Sequence, residues 1–318
     1  MDTNSLIHAE HLYRYYGDHC AVKAVSFELS KGEVLGFLGP NGAGKSTTMQ
    51  MLTGNLAPSA GSVKVSGIDL LDNPTSAKRQ LGYLPEQPPL YRDLTVDEFL
   101  TYCARLHRVA GRHIKEAVQR AKGRCGLEPE GRRLIGNLSK GYQQRVGIAQ
   151  AILHNPSVVI LDEPTVGLDP IQIREIRALI RELGQEHGII LSTHILPEVQ
   201  GTCTHVQIIN QGQLVFADSI EGLEAHLHSQ HLIVVFRNTP AIKEVQALPG
   251  IADVEPLGEN RLRLKYSGEN PAAAIAEQAV TRGWGLLELV PERRTLEQIF
   301  IELTCQDVSA TSATGEAA

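Results

Sequence analysis

The chain has 318 residues, 42% hydrophobic and 21% charged; this globular balance excludes wholesale disorder and, at roughly 100–200 residues per domain, suggests about two domains. The formal net charge of -6 argues against a protein that grips nucleic acid through a strongly basic surface. No run approaches the roughly 18 apolar residues of a membrane span, Met1-Asp2-Thr3-Asn4 predicts no signal peptide, and five scattered cysteines without a CxxC pair read as reduced thiols of a cytosolic protein.

In chain order, residues 18–29 read as an exposed strand and 34–38 as a strand buried on both faces. Residues 46–54 suit a helix, and 61–67 a further exposed, antiparallel strand. The stretch 85–150 is mostly helical, with helices predicted at 96–106, 114–125 and 140–153. In the last of these Val146, Ala149, Gln150 and Leu153 share a core-facing stripe. Residues 158–161 and 189–191 are again continuous apolar strands, and 206–216 form a hairpin turning near Gln211-Gly212. After about residue 225 the pattern changes. Strands are predicted at 232–236, 251–257, 261–266 and 285–290, with helices at 241–247, 271–282 and 295–304. That order, β-α-β-β-α-β plus one helix, is ferredoxin-like. From Gln306 onward, small residues with few apolar anchors predict a disordered tail.

Gly39-Pro40-Asn41-Gly42-Ala43-Gly44-Lys45-Ser46-Thr47 fits G-x-x-x-x-G-K-[ST] between a buried strand and a helix. The glycines let the backbone curl so that successive N–H groups face an anion, and the helix adds its positive end. In such a loop the lysine reaches the β and γ phosphates and the serine ligates magnesium. A nucleoside-triphosphate site follows, without separating kinase, GTPase, helicase or transport ATPase.

Val158-Val159-Ile160-Leu161-Asp162-Glu163-Pro164 is an apolar strand ending in two acids. Strand alternation turns neighbouring side chains to opposite sides. Paired with the phosphate loop, Asp162 reads as the magnesium-side carboxylate and Glu163 as the general base.

Leu138-Ser139-Lys140-Gly141-Tyr142-Gln143-Gln144-Arg145 opens a helix that Ser139 caps, 23 residues before Asp162. It resembles the LSGGQ signature of ABC ATPases. Lys140 replaces the first glycine and Tyr142 the glutamine, while Leu138, Ser139 and Gly141 remain. Other segments follow the family's order. Tyr16, before Gly17, resembles the aromatic that stacks on adenine, with Tyr13 and Tyr15 close by. Gly167-Leu168-Asp169-Pro170 looks like the D-loop, which the family places against the opposite subunit. Leu191-Ser192-Thr193-His194 ends a strand as the switch histidine does, which implies a γ-phosphate contact for His194. Gly82-Tyr83-Leu84-Pro85-Glu86-Gln87 aligns with the Q-loop, where the family usually has glutamine after this proline. Glu86 takes that place, with Gln87 as the alternative, and its oxygen would bind magnesium or orient water.

The resemblance spans Leu6 to about Gly222 and is to the nucleotide-binding subunit of an ABC transporter, in the type-2 export branch. It implies an α/β P-loop core with an antiparallel β subdomain and a helical subdomain, plus a small α+β domain. The expected division is an ATPase domain at 1–224 (helical part about 86–150), an accessory domain at 225–305 and a tail at 306–318. ATP and Mg2+ are the implied cofactors. Glu163, His194 and Glu86 would serve catalysis. Tyr16, the loop from Gly39 to Thr47, Ser139, Gly141 and Asp169 would hold nucleotide, and Ser46, Asp162 and Glu86 the metal. The implied partners are a second copy of the chain, closing head to tail over two ATP molecules, and a separate multi-span permease against residues 88–92; no nucleic acid is expected. The implied location is cytoplasmic, on the inner face of the membrane. A soluble ABC ATPase acting on ribosomes or DNA and a regulatory ATPase are the competing classes. A single phosphate loop and the lack of sustained heptads weigh against the former. His226, His228 and His231 cluster within a few residues, but no cysteine or acidic ligand set accompanies them, which weighs against a metal site.

Overall fold

The computed structural model describes residues 5–225, 228–268 and 270–293. They divide into two compact units that meet between Ile220 and Glu221.

In the first unit, β1 (Ser5–Tyr16), β2 (His19–Ser30), β4 (Ala60–Val65) and β5 (Ile68–Asp69) form an antiparallel sheet in the order β2-β1-β4-β5. Strand β1 is absent from the sequence reading. Its buried residues Ile7, Ala9 and Leu12 break the two-residue period, because His11 (φ 45°) bulges and shifts the register between Ala9 and Leu12.

A mixed sheet in the order β10-β9-β3-β8-β7-β6 lies beside it, built from β3 (Val34–Leu38), β6 (Leu81–Leu84), β7 (Val158–Asp162), β8 (Gly188–Thr193), β9 (His205–Asn210) and β10 (Gln213–Ser219). Strands β9, β3, β8, β7 and β6 run parallel, and β10 returns antiparallel. The three central strands β3, β7 and β8 are buried throughout, as their apolar runs require. The β9–β10 hairpin turns at Gln211 and Gly212, both with positive φ (46° and 81°), as a two-residue hairpin turn demands.

Helix α1 (Lys45–Leu52) inserts Met49, Met51 and Leu52 between the sheets, among Leu12, Val25, Phe27, Phe37, Ile160 and Ile190. This core anchors the phosphate loop at both ends. Short α2 (Pro74–Lys78), unread in the sequence, leads into β6.

The helical region holds α3 (Val96–Leu106), α4 (Gly111–Cys125) and α5 (Lys140–Ile152). A Thr95–Glu98 capping box starts α3, and left-handed Gly126 ends α4. Helix α4 begins three residues before the predicted start, because its first turn is exposed and carries no apolar signal. On α5, Val146 and Ala149 are fully buried, as is Leu153 directly after its last residue; Gln150 is half-buried and donates to Tyr83 O at 2.7 Å. Helices α6 (Pro170–Leu183) and α7 (Leu196–Thr202) follow β7 and β8. Helix α8 (Ile220–Ala225) crosses the division between units, and the expected boundary at 224/225 falls near its end.

The second unit runs β11 (His228–Phe236), α9 (Ile242–Gln246), β12 (Ile251–Pro256), β13 (Arg261–Tyr266), α10 (Ala272–Thr281) and β14 (Leu286–Arg293). Its sheet has the order β12-β13-β11-β14 with every pair antiparallel, the split β-α-β arrangement expected. Leu232, Val234, Phe236, Leu264, Ile275 and Trp284 form its core. The predicted helix 295–304 and the tail from Gln306 lie outside the described residues. Among the described residues no helix is long and apolar enough to cross a membrane.

Candidate nucleotide site

Strands β6, β7, β8 and β3 are neighbours and parallel, so their carboxyl ends open at one edge, where ligands of α/β sheets bind. Chain leaving these ends supplies Glu86 after β6, Asp162 and Glu163 at β7, His194 after β8, and the phosphate loop after β3. A cleft of about 320 Å³ is lined by Asn41, Gly42, Gly44, Lys45, Ser46, Thr47, Glu86, Glu163 and His194. Ala21 and Val166 also line it. They went unread in the sequence because neither carries a chemical group or a motif that would mark it.

Two glycines shape the loop. A Cβ on Gly39 would strike Ile209 O of β9, and Gly44 has φ 105°. Gly212 N donates to Ala43 O at 2.9 Å, tying the β9–β10 turn under the loop.

Lys45 is nearly fully buried, and its ammonium folds back to donate to Gly39 O (2.8 Å) and Pro40 O (3.2 Å). Its Nζ lies 3.8 Å from Glu163 Oε1. Burial pushes the Lys45 pKa down, against the pull of the Glu163, Asp162 and Glu86 carboxylates.

The expectation that strand alternation parts the two acids is corrected. Strand β7 ends at Asp162, and Glu163 adopts left-handed backbone (φ 49°), so a kink sets its direction. The kink is held by Glu163 N donating to Ser192 O at 2.9 Å. His194 Nδ1 lies 3.0 Å from both carboxylate oxygens of Glu163. Burial raises the Glu163 pKa, opposed by His194 and Lys45. Burial also raises that of Asp162, opposed by the Ser192 and Ser46 hydroxyls beside it.

Asp162 Oδ1 is buried without a hydrogen-bond partner. An orphaned carboxylate oxygen beside a serine hydroxyl suits a hard cation that takes its other ligands from phosphate and water, as magnesium does. Among the described residues no group of three histidine, cysteine or acidic side chains could hold a metal by itself. His226 and the side chain of His228 lie outside the described residues.

Tyr16, Ser139, Gly141 and Asp169 do not line this cleft. Tyr16 is exposed, with the Arg14 guanidinium 4.8 Å from its ring centre. Ser139 caps α5, accepting from Tyr142 N at 3.4 Å. Gly141 sits against Gln172 of α6, 2.6 Å from where a Cβ would be, and Lys140 Nζ lies against Gly167. Asp169 caps α6 through Ile171 N and Gln172 N. Gln87 lines a separate cavity with Arg92, Lys140 and Gln144, whereas Glu86 lines both.

The family model described as ABC transporter matches residues 22–166. The chain is 38% identical to the uncharacterised ABC transporter ATP-binding protein YxlF of Bacillus subtilis (strain 168), over 94% of this chain and 99% of that protein. It is 33% identical to the bacitracin transport ATP-binding protein BcrA of Bacillus licheniformis (94% and 97%). Against the linearmycin resistance ATP-binding protein LnrL of Bacillus subtilis the identity is 30% (94% and 98%). A solved ATP-binding subunit of an ABC transporter superposes with a TM-score of 0.63 at 31% identity, covering 70% of this chain and 92% of that one. CbiO1 from Clostridium perfringens, part of the ABC transporter complex cbiONQ, gives 0.65 at 29% (70% and 91%). With the phosphate loop, the paired acids and the histidine gathered at one sheet edge, and relatives matched over nearly their whole length, this chain belongs to the ATP-binding, ATP-hydrolysing subunits of ABC transporters.

Proposed function

We propose that two copies of this chain close head to tail over two ATP molecules and drive a separate membrane permease in export. One observation carries the reading. Lys45, Glu163, His194 and Glu86 converge on one cleft, while Ser139 and Gly141, on the same chain, stand outside it. A second copy would bring that helix end to the open side of the nucleotide. Relatives named for bacitracin transport and linearmycin resistance support the export direction. The chain would then sit on the cytoplasmic face of the membrane through its permease.

In this reading Lys45 bonds the β and γ phosphates, and the loop N–H groups cradle them. Tyr16 stacks on adenine, and Asp169 faces the opposite subunit. Ser46, Asp162 and Glu86 would hold magnesium, which when bound neutralises phosphate charge as a Lewis acid. Glu163 takes the proton of a water whose oxygen bonds to the γ phosphorus as the bond to the ADP oxygen breaks. His194 orients that carboxylate and steadies charge on the transferred group. Hydrolysis removes the ligand that favours the closed pair, and the pair opens. Residues 1–224 act as the motor and 225–305 as an accessory domain.

The test is Glu163→Gln, purified with ATP from detergent-solubilised membranes. Retained ATP, lost turnover, a trapped dimer and a stoichiometric multi-span protein are expected. Parental turnover overturns the base assignment, and recovery of soluble partners alone overturns the transport assignment.

A further inference from the structure

Glu198 lies on α7, 1% exposed, and among the described residues it makes no ion pair. A buried carboxylate without a cation is costly unless hydrogen bonds repay it. Two hydroxyls supply them. Thr165 Oγ1 donates to Glu198 Oε1, and Thr193 Oγ1 donates to Oε2 at 2.8 Å. Both threonines are buried, 3% and 0% exposed. The Thr193 hydroxyl also accepts from Ile195 N at 3.1 Å, which wraps the backbone around His194.

Thr165 stands two residues after Glu163, across Pro164, whose ring restricts the backbone between them. Thr193 is the last residue of β8, directly before His194. We propose that Glu198 is a positioning residue: its carboxylate clamps the segment carrying Glu163 to the segment carrying His194 and so sets the distance between them. A carboxylate only accepts, so both hydroxyls must donate to it, and the clamp has one hydrogen-bond polarity. This inference rests on the proposed roles of Glu163 and His194.

The test compares Thr165→Val, which keeps shape and loses the hydroxyl, with Thr165→Ser, which keeps the hydroxyl; Glu198→Gln is the second site. ATP turnover, affinity for a fluorescent ATP analogue and thermal unfolding are measured for each, alone and in the Glu163→Gln background. Thr165→Val is expected to lower kcat by about 10²-fold, as a misplaced reacting group does. Analogue affinity should stay at the parental value, Thr165→Ser should restore kcat, and Thr165→Val should cost nothing further once Glu163 is replaced. Parental kcat in folded Thr165→Val and Glu198→Gln overturns the proposal. So does a fall in analogue affinity that matches the fall in kcat, or an additive loss in the double variant. Glu163→Gln alone separates the two readings. Parental turnover there refutes the base assignment, whereas an inactive Glu163→Gln beside a fully active Thr165→Val refutes only the clamp.

Discussion

His194 Nδ1 sits 3.0 Å from Oε1 and 3.0 Å from Oε2 of Glu163. A carboxylate accepts only, so Nδ1 carries the proton that binds the pair. The imidazole thus engages both oxygens that a base would use. Lys45 Nζ lies 3.8 Å from Oε1 of the same carboxylate. The three side chains form an internally paired cluster in which the carboxylate is flanked by an imidazole and an ammonium.

The first prediction concerns pH. Glu163 serves as base only when ionised, and burial raises its pKa above the ordinary 4.5. The acidic limb of kcat/KM, which reports the free protein, should therefore fall above pH 4.5. Activity should be lost as pH drops through the raised value and be present above it. A steady-state pH series on wild type checks this, and the residual activity of Glu163→Gln should lack the limb.

Lys45→Ala should remove nucleotide affinity itself. Charged hydrogen bonds are worth about 1.5–3 kcal/mol each, so the dissociation constant should rise about tenfold or more per lost contact. Calorimetric titration with ATP and magnesium measures it, and unchanged affinity would contradict the phosphate-loop assignment. Pro40 O also accepts from Ala43 N at 3.2 Å, and strand β3 and helix α1 hold the loop at both ends, so the fold should survive.

Ser139→Arg should leave ATP binding by the single chain intact, because Ser139 does not line the cleft. It should abolish the ATP-dependent dimer of the Glu163→Gln variant by crowding the partner's phosphates. Size exclusion with light scattering, with and without ATP, shows the result. A dimer of undiminished population would refute a shared site.

Leu90→Ser with Tyr91→Ser should weaken co-purification with the permease while leaving ATP binding unchanged. Tyr91 and Tyr102 are exposed, and their rings meet edge to face at 5.7 Å. Together with Leu90 they line a shallow cavity well suited to an apolar partner segment. Pull-down from solubilised membranes measures the loss, and full recovery of the permease would place the docking face elsewhere.

Much of this protein is determined locally. The glycine spacing before Lys45 encodes an anion cradle within nine residues, and the apolar runs of β3, β7 and β8 encode strands with two covered faces. Both signals act between covalent neighbours, so they are legible without a fold, as are the Ser139 cap and the Gln211-Gly212 turn. What lay beyond reach depends on distant packing. The His11 bulge hides β1 because the bulge answers to pairing with β2 and β4. The left-handed backbone of Glu163 is held by Ser192 on a neighbouring strand, and overrides the alternation its own strand implies. Ala21 enters the cleft because β2 packs against the phosphate loop and the β9–β10 turn, and Val166 because the turn after Glu163 folds back, Val166 N donating to Glu163 O at 3.3 Å. Glu198 shows the same limit most plainly. As a residue type it belongs on a surface, and only the fold, by bringing Thr165 from the turn after β7 and Thr193 from the end of β8 to its two oxygens, makes burial of its charge tolerable.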